Sequence, residues 1–243
     1  MYPNAGESVV TWAPPRPLNR RAATFTGGER SGAEGEQAAE NAARSLRRAV
    51  STMRRFSVEN QLTRYAVFTF AEPVHDRRMA LREWRRMSRL ISRMERTTGK
   101  PMPWLMWLEL HPGGHGYHLN LLVGGKWLHQ RAWSEIWGRG RVYIEKIRTR
   151  RGAREDARAA ARYAVAYAEG HGKVLGEGRT GGEHRYEVSQ GHQPLMVRCR
   201  AWEAADGRVE AIRAMGGEVP AYEWESGQAE DWRGPPVLFM SWR

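Results

Sequence analysis

The chain lacks most of the features that mark secreted, membrane-bound or nucleotide-driven proteins. It has one cysteine, Cys199, in 243 residues, which excludes an internal disulfide and makes a reducing compartment the default expectation. No apolar run is long enough to span a bilayer and no signal-peptide pattern is visible, so we expect a cytoplasmic protein with no membrane partner. No G-x-x-x-x-G-K-[ST] phosphate-binding loop occurs, so the chain is not expected to drive a helicase itself.

Lysine is scarce as well, although the chain is strongly basic. The formal net charge is +12 and comes from 39 Lys and Arg against 27 Asp and Glu. Only four of the basic residues are lysine: Lys100, Lys126, Lys146 and Lys173. Arginine binds phosphate with two parallel hydrogen bonds and stacks on bases, so this bias favours a nucleic-acid partner. A GC-rich genome would produce the same bias, so composition alone does not decide.

The order of the sequence patterns predicts the fold class. Residues 1–35 are rich in Pro, Gly, Ser, Ala and Arg without periodicity, which predicts a disordered or loosely ordered basic arm. Residues 36–60 have the spacing of a helix, and residues 61–172 then read β–α–β–β–α–β–α. Residues 173–243 are interpreted as a C-terminal extension. This order predicts an α+β protein with a single central, largely antiparallel sheet of about five strands, flanked by helices.

A helix predicted to follow Asp76 and to end at Gly99 has two contrasting faces. One face carries apolar residues at three- and four-residue steps, which is typical of a helix packed on a core. The other carries eight arginines and only two acids, Glu83 and Glu95. A solvated charged face and a DNA-binding face both fit this pattern, and the sequence leaves the choice open.

Three polar residues on a predicted hairpin are candidate metal ligands. Alternate residues of a strand share a face, so His118 and Asn120 in the strand Tyr117–Val123 project together, about 7 Å apart. Glu109 is an isolated carboxylate in the preceding apolar strand, and the Gly-rich turn between the strands sets it beside His118. A carboxylate, an imidazole and an amide oxygen suit Mg²⁺ or Mn²⁺. Each residue alone would also be an ordinary strand residue.

Two tyrosines on a later helix are candidate nucleophiles. Tyr163 and Tyr167 are four residues apart, so they lie on the same helical face. A phenol has a pKa near 10 and needs help to attack at neutral pH. A phosphate whose charge is neutralised by a divalent metal provides part of that help. An aromatic pair packed on the sheet is the alternative interpretation.

These motifs occur in the order typical of one family. A strand ending in Thr-hydrophobic-Thr is echoed at residues 66–70, a His-hydrophobic-His strand at residues 117–122, and Tyr-x-x-Lys-Tyr at residues 163–167. The chain thus resembles the HUH-type rolling-circle replication initiators of plasmids and single-stranded DNA phages, over about residues 55–195. It departs from their pattern at Asn120, which replaces the second histidine, and at Ala166, which replaces the lysine.

The resemblance implies a chemistry and roles for the candidates. One divalent ion would be held on the scissile phosphate by Glu109, His118 and Asn120. Tyr163 would attack the phosphorus to give a 5′-phosphotyrosine, and Tyr167 would act as the second nucleophile.

The resemblance also implies contacts with DNA. Arg162 and Lys173 are the candidates to take over the role of the missing lysine. The family-like spacer before the tyrosine helix contributes Arg139 and Arg141 as further DNA-binding candidates. Trp127 and Trp133 are candidates for base stacking if they are exposed, and core packing is the expected role of most tryptophans. The implied partners are a single-stranded replication origin and a recruited host helicase and polymerase.

Three other functions remain open from the sequence. A relaxase or transposase of the same nuclease class would share the chemistry and differ in its DNA. A non-catalytic module on an RRM-like sheet would bind a single strand and leave it intact. A basic structural protein of a virus or plasmid would bind without sequence preference or metal.

Overall fold

The computed structural model describes most of the chain, in two compact units. The units are residues 46–193, and residues 1–45 together with 194–243. For residues 30–40 and 166–169 only the backbone is described. The residues outside the description are 13–29, 112, 126–127, 150, 170–183, 200, 231, 233–234 and 243.

The unit of residues 46–193 contains an antiparallel five-stranded sheet. Its strand order is β5-β2-β4-β3-β6. The strands are β2 (Arg64–Phe68), β3 (Trp104–Leu110), β4 (Tyr117–Val123), β5 (Val142–Lys146) and β6 (Glu187–Val188). The helices are α1 (Arg30–Glu59), of which residues 46–59 belong to this unit, α2 (Arg77–Thr98), α3 (Gln130–Trp137) and α4 (Ala153–Glu169). The predicted α+β class, with one five-stranded antiparallel sheet flanked by helices, is confirmed.

Local sequence signals set the limits of α2 as predicted. The Asp76 side chain accepts a hydrogen bond from the Arg78 backbone N–H at 2.8 Å, which satisfies one of the unpaired donors at the helix N-terminus. At the other end Gly99 adopts the left-handed conformation, with φ of 61°. Within the described residues, no helix is both long and apolar enough to cross a membrane.

Both faces of the five-stranded sheet are covered. On the first face, α2 and α3 bury three tryptophans: Trp84, Trp133 and Trp137. On the second face, α1 and α4 pack against Tyr65 and Trp107. Four buried alanines let α4 lie close to the sheet: Ala157, Ala160, Ala161 and Ala164. The central strands β3 and β4 are therefore buried almost throughout, and a polar side chain there needs a partner.

The other unit contains a second antiparallel sheet, which the sequence did not predict. Its order is β1-β8-β7, and its elements are β1 (Glu7–Thr11), α5 (Ala204–Ala214), β7 (Tyr222–Glu225) and β8 (Val237–Ser241). The prediction of a loosely ordered arm over residues 1–35 therefore differs from the structure at β1. The five residues of β1 have too short a pattern to indicate a strand, and they pair with β8 more than 220 residues later. The predicted boundary at residues 172/173 lies outside the described residues.

Two glycines of the β3–β4 turn allow a matched test of how the hairpin is built. Gly114 and Gly116 both have positive φ, of 74° and 75°. A Cβ at Gly116 would lie 2.6 Å from the Val74 carbonyl oxygen, whereas a Cβ at Gly114 would have nothing within 4 Å. The Val74 carbonyl already accepts the Tyr117 N–H at 2.7 Å.

We expect Gly116→Ala to destabilise the protein much more than Gly114→Ala. Gly114→Ala should cost about 1–2 kcal/mol, because it adds only left-handed backbone strain. Gly116→Ala should cost about 3 kcal/mol or more, because the backbone clash adds to the same strain. Denaturant unfolding of the two variants measures the difference, and equal losses of stability would contradict the hairpin geometry.

Candidate functional site

The hairpin brings two of the predicted metal ligands together. Glu109 and His118 are direct partners in the register between β3 and β4. Both residues are almost buried, with 7% and 8% of their surface exposed, and His118 Nε2 lies 3.6 Å from Glu109 Oε2. A carboxylate and an imidazole in this position share one small, water-poor space at the end of the hairpin.

Asn120 lies in the same cluster, but its amide faces differently from the prediction. The residue is fully buried, and its Nδ2 donates to Glu109 Oε2 at 3.1 Å. Its Oδ1, the atom predicted to bind metal, accepts a hydrogen bond from the Tyr65 hydroxyl. The amide N–H, rather than the oxygen, is therefore the group that Asn120 presents to Glu109.

Tyr65 is a site residue that sequence reasoning did not identify. It lies on β2, opposite Leu122 of β4, and is 4% exposed. Strand alternation puts Tyr65 on one face of β2, but only the pairing of β2 with β4 shows that this face meets Asn120. A chain of side chains thus runs from Tyr65 through Asn120 to Glu109 and His118.

The first predicted nucleophile lies next to this chain of side chains. The ring of Tyr163 on α4 contacts the ring of Tyr65 edge to face, with 5.1 Å between centroids. Tyr163 is 43% exposed, so its ring borders the network while part of the side chain faces solvent. The sequence-predicted tyrosine helix and the sequence-predicted hairpin are therefore brought together on one face of the sheet.

The remaining predicted residues of α4 and the following segment are only partly described. Arg162 is exposed and precedes Tyr163 in α4. Tyr167 lies in α4, one turn after Tyr163, and its side chain is outside the description. Lys173 lies outside the described residues.

The structure does not place Arg139 at the cluster. Its Nε is 2.9 Å from Glu83 Oε2 of α2, which packs on the opposite face of the sheet. This hydrogen bond, with a second from Arg86, holds the pKa of Glu83 below its usual value against the opposing effect of burial. Arg141 is exposed, and its backbone carbonyl accepts the Thr69 N–H at the end of β2.

The two tryptophan candidates for base stacking have different outcomes. Trp133 is 1% exposed and packs edge to face on Phe68, so it belongs to the core and the stacking prediction is wrong for this residue. Trp133 lies on the buried face of the amphipathic helix α3, together with Trp137. Trp127 lies outside the described residues.

Two further histidines lie in the turn that precedes His118, and sequence reasoning did not identify them as site residues. His111 and His115 are exposed residues of the β3–β4 turn. The His111 ring centroid is 4.8 Å from that of His115 and 5.9 Å from that of His118. The signal was present in the sequence as three histidines within eight residues of one hairpin.

The spacing of Glu109 and His118 is compatible with two protein ligands to one divalent ion. Among the residues that the structure describes, no three His, Cys, Asp or Glu side chains are grouped so as to hold a metal ion. Two ligand atoms that are each about 2.0–2.2 Å from one ion can lie 3.6 Å apart, as His118 Nε2 and Glu109 Oε2 do. Mg²⁺ commonly has one or two protein ligands and completes its shell with water and substrate phosphate.

Comparisons with known proteins do not assign this chain to a family. The chain has no significant match to any protein-family model, to any curated protein or to any solved structure. Any functional assignment therefore depends on the residues of the cluster and on their geometry.

Proposed function

We propose that the protein is a metal-dependent DNA endonuclease and strand transferase that nicks and rejoins a single-stranded replication origin. In this proposal it acts as an HUH-type rolling-circle initiator and forms a 5′-phosphotyrosine. The observation that supports it most is the contact of Tyr163 with the buried network, at 5.1 Å between the rings of Tyr163 and Tyr65. Tyr163 thus contacts a network that contains a carboxylate and an imidazole, and the proposed chemistry requires these two groups together with a phenol.

Each residue of the network has a separate role in this proposal. Glu109 and His118 would hold Mg²⁺ or Mn²⁺. When bound, the ion neutralises charge that develops on the scissile phosphate. Asn120 holds the Glu109 carboxylate in place through its amide N–H, and the Tyr65 hydroxyl fixes the amide in that orientation.

The proposed cleavage step is balanced in bonds and protons. The Tyr163 hydroxyl oxygen attacks the phosphorus, a Tyr–phosphorus bond forms, and the bond from phosphorus to the 3′ oxygen breaks. The phenol proton passes to solvent, and the leaving 3′ oxygen takes up a proton to become a 3′-OH that can prime synthesis. Tyr167 acts in termination as the second nucleophile, and Arg162 contacts phosphate near the cut. One ester bond replaces another, so strand transfer needs no external energy.

The cellular setting follows from the proposed chemistry. The protein would act in the cytoplasm on an origin that is single-stranded or extruded. Because the sequence has no phosphate-binding loop, a host helicase and a host polymerase would be recruited to the free 3′-OH. A relaxase or transposase would share the cleavage step, and joining of the cut ends into circles of unit length would favour the initiator.

The structure gives the non-catalytic alternative less support. Modules of the RRM type bind single strands on an open sheet face that carries aromatic side chains. Here α2 and α3 cover one face of the five-stranded sheet, and α1 and α4 pack on the other. The buried strands β3 and β4 leave little sheet surface for bases to stack on.

Formation of a covalent protein–DNA adduct tests the proposed function. The full-length protein is incubated with a labelled library of random single-stranded oligonucleotides and Mn²⁺, and adducts are separated on a denaturing gel and sequenced. We expect an adduct on a restricted set of sequences, reduced at least about 100-fold by EDTA and restored by added Mn²⁺. Binding that is strongly salt-dependent and leaves every oligonucleotide intact would instead support the non-catalytic module.

A further inference from the structure

A row of exposed arginines runs along α2 on the side away from the sheet. All of its members are exposed, and they follow one another at steps of three or four residues, so they share one helical face. We call this set the arginine row: Arg78, Arg82, Arg85, Arg89, Arg93 and Arg96. At 1.5 Å per residue the row is about 27 Å long.

The acidic residues of α2 do not neutralise this row. Glu83 is engaged by Arg86 and Arg139, at 3.1 and 2.9 Å. Glu95 accepts the Met102 backbone N–H and contacts His192 Nε2 at 2.8 Å. Both carboxylates are thus turned to the flanks of the helix and to other elements.

The row is unfavourable for the helix itself. Like charges three or four residues apart destabilise a helix by roughly 0.2–0.5 kcal/mol for each pair. The packing of α2 depends on its other face, where Ala80, Trp84, Met87 and Ile91 are buried. Among the residues that the structure describes, neither core packing nor an ion pair accounts for these six arginines, and we infer an external anion as their partner.

The charge of the whole unit points in the same direction. Residues 46–193 hold 28 of the 39 Lys and Arg and 14 of the 27 Asp and Glu, a net charge of +14. The remaining residues have a net charge of −2. The excess positive charge of the protein therefore belongs entirely to the unit that carries the arginine row.

We propose that the arginine row binds the phosphate backbone of duplex DNA. A regular row of arginine forks about 27 Å long matches about eight base pairs of backbone. The choice of DNA as the anion rests on the proposed function. The row lies on α2, and α2 covers the sheet face opposite to the one with Tyr65 and Trp107, so it is a surface distinct from the cluster next to Tyr163. Duplex next to the origin would dock there while the single strand reaches the cluster.

A charge-neutralising variant tests this surface. We compare wild type with the triple variant Arg82→Gln, Arg89→Gln and Arg96→Gln, in which glutamine keeps helix propensity. Binding to a labelled 20-base-pair duplex is measured by fluorescence anisotropy at several salt concentrations. We expect an affinity at least about 10-fold lower and a salt slope smaller by about 2–3, since each phosphate contact contributes about 0.9.

A matched control removes the same charge elsewhere. The variant Arg131→Gln, Arg198→Gln and Arg213→Gln changes three exposed arginines outside the row and should bind duplex like wild type. The midpoint temperature of thermal unfolding should be no lower for the row variant than for wild type, because the variant relieves the repulsion between arginines along α2. Nicking of a short single strand should be retained by the row variant.

Four results would overturn the inference. They are unchanged duplex binding by the row variant, equal losses in the control variant, an unfolded row variant, and row-dependent binding to anionic phosphatidylserine vesicles with no effect on duplex. None of these concerns the covalent adduct, so failure of the inference and failure of the proposed function are separable. Absence of the adduct in wild type, with row-dependent duplex binding intact, would refute the proposed function alone.

Discussion

Replacement of Tyr163 by phenylalanine is expected to abolish the covalent protein–DNA adduct. The change removes one hydroxyl and leaves the ring that packs on Tyr65 at 5.1 Å, so the fold should be kept. Because the hydroxyl is the attacking group, we expect nicking to fall by at least about 10³-fold, as is typical when a nucleophile is removed. Adduct yield and the rate of nicking of a selected oligonucleotide, measured with saturating Mn²⁺, check this.

Tyr143→Phe is the control for the loss of a phenol hydroxyl from the same unit. Tyr143 is 57% exposed on β5, and its hydroxyl donates to Glu145 at 3.1 Å. This variant should nick like wild type. Full adduct yield from Tyr163→Phe would show that another residue attacks, and loss of the adduct in Tyr167→Phe would then identify it.

Replacement of Tyr65 by phenylalanine distinguishes two roles of Asn120 by the sign of the effect. If Asn120 positions Glu109, the loss of the Tyr65 hydroxyl lets the amide turn and weakens the hold on the carboxylate. We then expect Mn²⁺ affinity to fall about 10-fold, the lower end of the range for residues that support metal ligands. If the Asn120 oxygen were itself a ligand, removal of the hydroxyl that occupies it would raise the affinity.

Electron paramagnetic resonance of free Mn²⁺ measures this affinity directly and without DNA. Tyr117→Phe is the control, because Tyr117 is a buried tyrosine of the same sheet whose side chain belongs to the opposite core. It should leave Mn²⁺ affinity unchanged. A crystal soaked with Mn²⁺ provides a check that needs no variant: the ion should contact Glu109 and His118 and lie farther than about 3 Å from Asn120 Oδ1.

Residue patterns within single elements predicted much of the site. Strand alternation predicted that His118 and Asn120 share one face, and the four-residue step predicted that Tyr163 and Tyr167 share one face of a helix. The turn between β3 and β4 is short, so the pairing of Glu109 with His118 could also be predicted from the sequence. These features depend on neighbours in the sequence, and local patterns describe such neighbours well.

Features that depend on contacts between residues far apart in the chain could not be predicted from local sequence patterns. Tyr65 meets Asn120 only because β2 pairs with β4, across 55 residues. The contact of Arg139 with Glu83 spans 56 residues and places Arg139 next to α2 instead of at the cluster. β1 pairs with β8, which lies near the other end of the sequence. In each case the decisive partner was a side chain or strand that no local pattern indicates.

Identification of the residue that is bonded to DNA tests directly whether Tyr163 is the nucleophile. The adduct formed with Mn²⁺ is digested with nuclease and trypsin, and the modified peptide is sequenced by tandem mass spectrometry. We expect a nucleotide remnant attached through its 5′-phosphate to Tyr163, in the peptide that begins after Arg162. A remnant on a residue outside α4, or no modified peptide from an adduct-forming reaction, would contradict it.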